Sequence, residues 1–300
     1  MCRNGAARSI AVMTTTIRAG ATARWSVVAY GALCYLAFLA SFGYAVLFVL
    51  GIVVPRTVDH GIAAPLVPAI AVNLALLGVF AAQHSIMARP WFKRWWTRIV
   101  PPPVERSTFV LAASAALGLL CCQWRTIDGV VWDVGQPVAR VAVWTIAAVG
   151  WLTVLATTFM INHFELFGLQ QVFASWQGRR PAATGFRTPL LYRLVRHPMM
   201  LGFLLAFWAA PTMTAGHLLF AAATTVYILA AIRIEERDLS ESLGDPYRRY
   251  RHEVPMVLPT GRCPRHEPPT SRSPRHRKLL TYLPISPASS RLAPDGRPDP

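Results

Sequence analysis

Long uncharged runs alternate with short basic clusters along this chain. Five runs stand out, at residues 27–54, 62–82, 108–124, 141–161 and 199–232. A helix needs about 20 residues to cross a hydrocarbon core roughly 30 Å thick. The first four runs each predict one crossing helix, the third a short one. The first is too long for the core of a signal peptide, so it is expected to remain as a membrane helix. The fifth would stretch about 51 Å as a single helix, too far for one crossing. Pro211, Gly216 and His217 fall near its middle, where a turn is expected. It therefore predicts a helical hairpin with short arms at 199–210 and 216–232. The expected fold class is all-α: a polytopic membrane helical bundle of four spans, a C-terminal hairpin and a cytoplasmic C-terminal helix.

The basic residues give this bundle a direction. The N-terminal segment carries Arg3, Arg8, Arg18 and Arg24. The second loop carries Arg89, Lys93, Arg94, Arg98 and Arg106, and the fourth carries Arg179, Arg180, Arg187, Arg193 and Arg196. The first loop has Arg56 alone, and the third has only Arg125 and Arg140. Lys and Arg accumulate on the cytoplasmic side. Both chain ends and the second and fourth loops are thus expected to face the cytoplasm, as in a multi-pass protein of a bacterial inner membrane. Trp91, Trp95 and Trp96 beside Lys93 and Arg94 read as an interfacial anchor.

Composition supports a membrane class. The 300 residues are 54% hydrophobic and only 15% charged, against about 25% charged in a soluble domain. The net charge of +16 comes from residues flanking apolar runs and from the tail. No separate basic domain is built, which argues against a nucleic-acid partner. Cys2, Cys34, Cys121, Cys122 and Cys263 form no Cys-x-x-Cys pair, so neither a disulfide scaffold nor a zinc site is expected. The chain divides into a flexible segment at 1–24, the four spans and their loops at 25–190, the hairpin and amphipathic helix at 191–260, and a basic, Pro-rich disordered tail at 261–300.

Polar residues beside membrane helices carry the chemical information, because lipid penalises them. Four places qualify. Tyr192 to Pro198 precedes the hairpin. Pro198 suits the first helical position, and the free N–H groups there, with Arg193 and Arg196, favour an anion. A routine basic flank is the plainer reading. Glu235 and Glu236 leave the hairpin. On a helical wheel Glu235 falls within the stripe of Ile228, Ile232, Leu239 and Leu243, with Glu236 on its border. They read as partners of Arg193 or Arg196, or as ligands for hydroxyls or a cationic group. Asn162, His163 and Glu165 end the fourth span, as a polar helix end or as a base and its neighbours. Gln83, His84 and Ser85 end the second. His84 reads as a packed interfacial residue, with a haem-ligating pair of His84 and His163 as the alternative. No P-loop, Gly-x-Gly-x-x-Gly, His-Glu-x-x-His or Gly-x-Ser-x-Gly is present, so a nucleotide-like cofactor would be held in another way.

The order Arg196-His197-Pro198, then Glu235-Glu236, then Leu239, Gly244, Tyr247, Tyr250 and Val254-Pro255 resembles the isoprenylcysteine carboxyl methyltransferase family. Within it, the segments 83–96, 162–173, 191–221 and 227–239 resemble the methanethiol S-methyltransferase group. The resemblance runs from about residue 27 to 260 and leaves out both tails. It implies a membrane enzyme that uses S-adenosyl-L-methionine and methylates a small-molecule thiol, methanethiol, to dimethyl sulfide. It further implies that Arg196, His197, Pro198, Glu235, Glu236, Tyr247 and Tyr250 bind the cofactor. Asn162, His163 and Glu165 become the candidate catalytic residues at the substrate end, with His163 or Glu165 removing the thiol proton. No metal is implied, the bilayer is the reservoir for thiol and product, and oligomeric state is left open. A larger prenylated or lipid acceptor, or a non-catalytic accessory protein of the nitric-oxide-reduction type, are the competing readings.

Overall fold

The computed structural model describes residues 21–179 and 189–259. The remainder, including the expected flexible segment up to residue 20 and the basic tail from 261, lies outside the described residues. Five long apolar helices carry the architecture. They are α1 (Ala21–Leu50), α2 (Leu66–Ala88), α4 (Pro102–Gln123), α5 (Pro137–Ile161) and α9 (Ala215–Leu243). Between them lie the short helices α3 (Pro90–Trp96), α6 (His163–Leu166), α7 (Leu169–Trp176) and α8 (Pro198–Trp208), and α10 (Asp245–Glu253) follows α9. A helical bundle crossing the bilayer several times satisfies every backbone group internally, which lipid requires.

The helices overrun the apolar runs at their basic ends. α2 continues to Ala88 and so includes Gln83, His84 and Ser85. α4 starts at Pro102, with Pro at its first positions and Glu105 in the first turn, where a carboxylate suits the positive end of the helix. The Trp91–Trp96 cluster forms α3, a separate short helix.

The hairpin differs from expectation in its second arm. The arm does not stop at residue 232. α9 runs unbroken through Glu235 and Glu236 to Leu243, a length of about 43 Å. No Pro or Gly interrupts it between Gly216 and Gly244, and Gly244 ends it at φ 64. α8 is short, about 16 Å, and does not span the core. The turn joining them is residues 209–214, so Gly216 and His217 already belong to α9.

α5 and α8 approach backbone to backbone. A Cβ added to Gly202 would meet the Gly150 carbonyl at 2.7 Å, and one added to Gly150 would meet the Gly202 carbonyl at 2.7 Å. Small residues at a crossing allow this contact, which substitutes for a hydrophobic drive inside lipid. Trp151 then packs edge-on against Phe203 and Phe207. Phe48, Trp124, Phe207 and Phe220 form the aromatic centre of the main core.

Loops at one end of the bundle are tied by two small sheets. β1 (Ile62–Ala63) pairs in parallel with β2 (Arg125–Thr126), and β3 (Val130–Asp133) pairs antiparallel with β4 (Thr212–Thr214). Asn73, fully buried, accepts from the Arg125 N–H and donates to the Arg125 carbonyl, both at 2.8 Å. Its amide thereby acts as one more strand partner. At this end Asp59 accepts from Thr214 and lies 3.6 Å from His217 Nδ1, while His217 Nε2 is 3.1 Å from the Phe207 carbonyl.

Candidate functional site

The opposite end of α9 holds a denser cluster. Glu236 lies one helical turn beyond Ile232 and two beyond Ile228, and all three are buried. Glu236, rather than Glu235, therefore occupies the buried stripe. Its side chain is 6% exposed, against 50% for Glu235. The wheel reading of the sequence reversed the two, because it ran the stripe through Leu239 and Leu243, which are only partly buried, whereas the buried row runs Ile228, Ile232 and Glu236. Arg196 and Arg251 cover the Glu236 carboxylate.

Glu236 Oε1 accepts from Arg196 Nε at 2.7 Å and lies 3.2 Å from His197 Nε2. Its other oxygen is 3.4 Å from Arg251 Nε. His197 reaches both carboxylates, since its Nδ1 is 3.8 Å from Glu235. A buried carboxylate holds its charge at this depth only with partners of opposite sign and well-placed donors. Local chain geometry supplies them. Pro198 takes the first position of α8, as expected, and His197 is its cap residue. The segment after α10 folds back so that the Arg196 and His197 N–H groups donate to the Pro255 and Met256 carbonyls, at 2.9 and 3.1 Å. Arg196 Nη1 also donates to the Arg251 carbonyl at 2.7 Å. Arg193 stands apart, exposed on the 3-10 turn Leu190–Arg193.

The tyrosines close this cluster from below. Tyr247 is buried, and Tyr250 donates to the Tyr192 carbonyl at 2.6 Å. Burial first, and then the Glu236 charge, push the Tyr247 phenol up to about 12. Burial likewise raises Tyr250. Both remain neutral donors at physiological pH.

Two adjoining hollows open on the cluster. One, about 470 Å³, is lined by Arg233, Glu236, Arg237, Ser240, Glu241, Arg248 and Arg251. The other, about 400 Å³, is lined by Arg196, Ser240, Arg248, Arg251 and His252. These volumes suit a small molecule. A wall carrying both signs suits a ligand that carries both signs itself.

The second candidate constellation forms around His163. Asn162 ends α5 at φ 154 and caps α6, accepting from the Glu165 N–H at 3.3 Å. Its side-chain nitrogen donates to Glu165 Oε2 at 3.2 Å and to Gln170 at 2.7 Å. Asn is a favoured cap residue, so the predicted Asn162 and Glu165 neighbours meet as a helix start. His163 is buried, with Tyr35 Oη 2.7 Å from Nε2 and Thr158 Oγ1 2.9 Å from Nδ1. Desolvation lowers its pKa below the ordinary imidazole value, so the ring is neutral at pH 7. Phe159 stacks on it at 4.4 Å and Phe167 tilts against it at 4.7 Å.

Tyr35, Thr158 and Arg251 escaped sequence reading. A lone Tyr or Thr in an apolar run carries no local sign of its partner, and Arg251 sits in a run of similar residues. His84 stacks on Phe80 and packs against Phe109, as a packed residue should. The alternative haem pair with His163 meets an obstacle, because both His163 nitrogens are already hydrogen-bonded.

His197 and His163 share one end of the bundle. His197 precedes Gly202 on α8 by little more than a turn. On α5, which runs antiparallel to α8, Val154 faces Gly202 so closely that a Cβ added to the glycine would meet its side chain at 2.9 Å. His163 lies beyond Val154 along the same chain direction. These features define a multi-pass helical membrane protein with a buried ion cluster, a mixed-charge hollow and a histidine niche at one end.

Comparison with known proteins narrows this class. The NnrU protein family matches residues 72–253. The protein of Mycobacterium tuberculosis named methanethiol S-methyltransferase is 63% identical over 236 residues, covering 79% of this chain and 97% of the relative. Methanethiol S-methyltransferase 1 of Bradyrhizobium diazoefficiens is 52% identical over 77% of this chain and 81% of its own length. Human nurim is 30% identical over 60% of this chain and 70% of its own. No solved structure matches. The chain belongs to the NnrU protein family and, within it, to the methanethiol S-methyltransferases.

Proposed function

We propose that this protein is a membrane methyltransferase that methylates methanethiol to dimethyl sulfide with S-adenosyl-L-methionine as donor. The carrying observation is the 63% identity to a relative of that name over nearly its whole length. The donor, when bound, supplies an activated methyl group on a sulfonium.

Residues 191–260 form the cofactor-binding part, set on the bundle of residues 25–190. What supports this is the fit of a mixed-charge hollow to a zwitterionic tail. Arg196, Arg248 and Arg251 offer charge-assisted bonds to a carboxylate. Glu235, half-exposed and 3.8 Å from His197 Nδ1, stands outside the walls of the two hollows and is the carboxylate assigned to the ammonium or a ribose hydroxyl of a donor that reaches past them. Glu236 acts by holding Arg196 and His197 in place, and Tyr247 and Tyr250 pack the floor. Such positioning accounts for much of a transfer from an already activated group.

Asn162, His163 and Glu165 form the acceptor end. The thiolate is the nucleophile, and a neutral His163 is the proton sink. Both chain ends and this site face the cytoplasm of a bacterial inner membrane, supported by the Arg and Lys asymmetry of the loops. The partners are the thiol and the lipid bilayer, and no nucleic acid.

Membranes containing the protein, supplied with methanethiol and S-adenosyl-L-methionine, should release dimethyl sulfide into the headspace. Membranes with Glu235→Gln should release far less. No product from the unmodified protein, or methylation of a prenylated thiol instead, would overturn the reading.

A further inference from the structure

Both nitrogens of His163 are occupied, and the donors can be assigned by counting protons. Thr158 Oγ1 lies 2.7 Å from the Leu155 carbonyl and 2.9 Å from His163 Nδ1. A hydroxyl has one proton, and a carbonyl only accepts. Thr158 gives its proton to Leu155, so Nδ1–H must donate to Thr158. The neutral ring then presents a lone pair at Nε2, and the Tyr35 O–H, 2.7 Å away, donates to it. All three hydrogen bonds run one way, from Tyr35 through His163 and Thr158 to the backbone. A thiol cannot reach Nε2 without displacing Tyr35. It can reach the phenol oxygen, which keeps lone pairs to accept an S–H.

The niche borders the lipid. Phe159, stacked on His163, is 58% exposed, and Phe164 is 55% exposed. An apolar thiol dissolved in the bilayer meets no polar barrier here. The charged and titratable groups around the ring are few. Tyr35 comes from α1. Glu165 is on α6, held by Asn162. Arg106 comes from α4, its Nε donating to the Leu166 carbonyl at 2.7 Å. His84 of α2 lies beyond Phe109.

We infer that Tyr35 is the residue that takes the proton from the acceptor thiol, handing its own to His163, which acts as a positioned proton sink. This rests on the methyl-transfer reading above. As the sulfur attacks the methyl group of the sulfonium, its S–H bond breaks and the proton passes to Tyr35 Oη. The phenol proton moves to His163 Nε2. The new S–C bond forms while the donor C–S bond breaks, its electron pair leaving with the departing sulfur. The positive charge lost there reappears on the His163 imidazolium, which later releases its proton to water.

The test uses the full-length protein in lipid nanodiscs with two acceptors. Methanethiol keeps its proton at neutral pH, whereas methaneselenol is already ionised. Tyr35→Phe should lower turnover of the thiol by about 100-fold, the lower range for a lost acid–base group, and turnover of the selenol by less than about threefold. Between pH 7 and 9 the wild-type rate should be flat. The variant's thiol rate should climb about tenfold per pH unit, following thiolate in solution. The Michaelis constant for the methyl donor should not move. Nitrogen-15 NMR of labelled histidine should show His163 as the Nδ1–H tautomer in the wild type and a mixture in the variant. Equal losses on both acceptors would overturn the proposal and leave Tyr35 a packing residue. Should Tyr35→Phe not fold, Thr158→Val keeps the phenol and frees the tautomer. It should show the same acceptor split at smaller size, and an equal loss would again overturn it. If the wild type makes no dimethyl sulfide, the methyl-transfer reading fails, while the tautomer is still read by NMR.

Discussion

α9 carries a carboxylate–histidine pair at each end, and the two are built differently. At its start, His217 faces Asp59 and Phe207, and Thr214 caps both the helix and the carboxylate. Every contact there is to the chain itself, and the two small sheets close over it. At its far end, Glu236 and His197 are joined by Arg196 and Arg251, and the cluster opens onto hollows of about 470 and 400 Å³. The same two chemical groups, a carboxylate and an imidazole, thus serve as a closed clasp in one place and as part of an open site in the other. What separates them is whether the charged groups line an opening. The clasp's partners all come from the chain around it, while the far cluster sets Arg251 and Glu236 in the wall of an open hollow beside Arg248.

Substitution should divide the two pairs, and the largest effect is expected at the open one. Glu236→Gln leaves Arg196 buried without its counter-charge, which costs on the order of 3–5 kcal/mol. Turnover should fall at least about 100-fold as the arginine and histidine lose their positions. Thermal melting in detergent and headspace dimethyl sulfide read these together. Glu235→Gln should separate the effects. Being half-exposed, it should leave melting unchanged and lower activity by roughly tenfold, the loss of one charged hydrogen bond.

Asp59→Asn should do the reverse, weakening the fold by about 1–3 kcal/mol while initial rates hold. Acid sharpens this contrast. Burial by itself would raise the Asp59 pKa, but the bonds from His217 and Thr214 and the neighbouring histidine charges outweigh it and lower the value. A carboxylate lowered in the folded state contributes stability above its unfolded pKa of about 3.9 and loses it as pH falls through the folded value. Melting of the wild type should therefore drop below about pH 4, and Asp59→Asn should remove that part of the drop. The smallest effect is expected at the exposed Arg237–Glu241 pair. Glu241→Gln should shift stability by less than about 0.5 kcal/mol. A large loss of donor binding in that variant would instead show that the 470 Å³ hollow extends its ligand contacts to the rim.

Much of this was legible along the chain, for reasons that differ by residue. Pro198 announced the start of α8 because its ring suits only the first helical position. Asn162 was legible only as the polar end of a span; its role as the cap of α6 came from the structure, although Asn is a favoured cap residue. Arg196, His197, Glu235 and Glu236 were recognisable as a set by their spacing. Their division of labour was not, since whether Glu235 or Glu236 is buried depends on where α8 and the segment after α10 lie against α9. The hairpin's second arm was bounded at 232 because the uncharged run stops there, although the wheel already treated residues to Leu243 as helical. Charge ends a membrane crossing, but it does not interrupt helical hydrogen bonding.

The amino-acid sequence by itself determined the membrane class, the four spans before the hairpin, and the membership that brings methyl transfer into view. These depend on local apolar length and on motifs confined to short segments. Only the tertiary structure decided that Tyr35 meets His163 and that Arg251 joins Arg196 at Glu236. Only there, too, does Asp59 close with His217. Each of these pairs joins residues from separate elements, and no rule of spacing along the chain specifies which lone polar group in one apolar helix will meet another. Packing does so, through crossings as tight as Gly150 on Gly202.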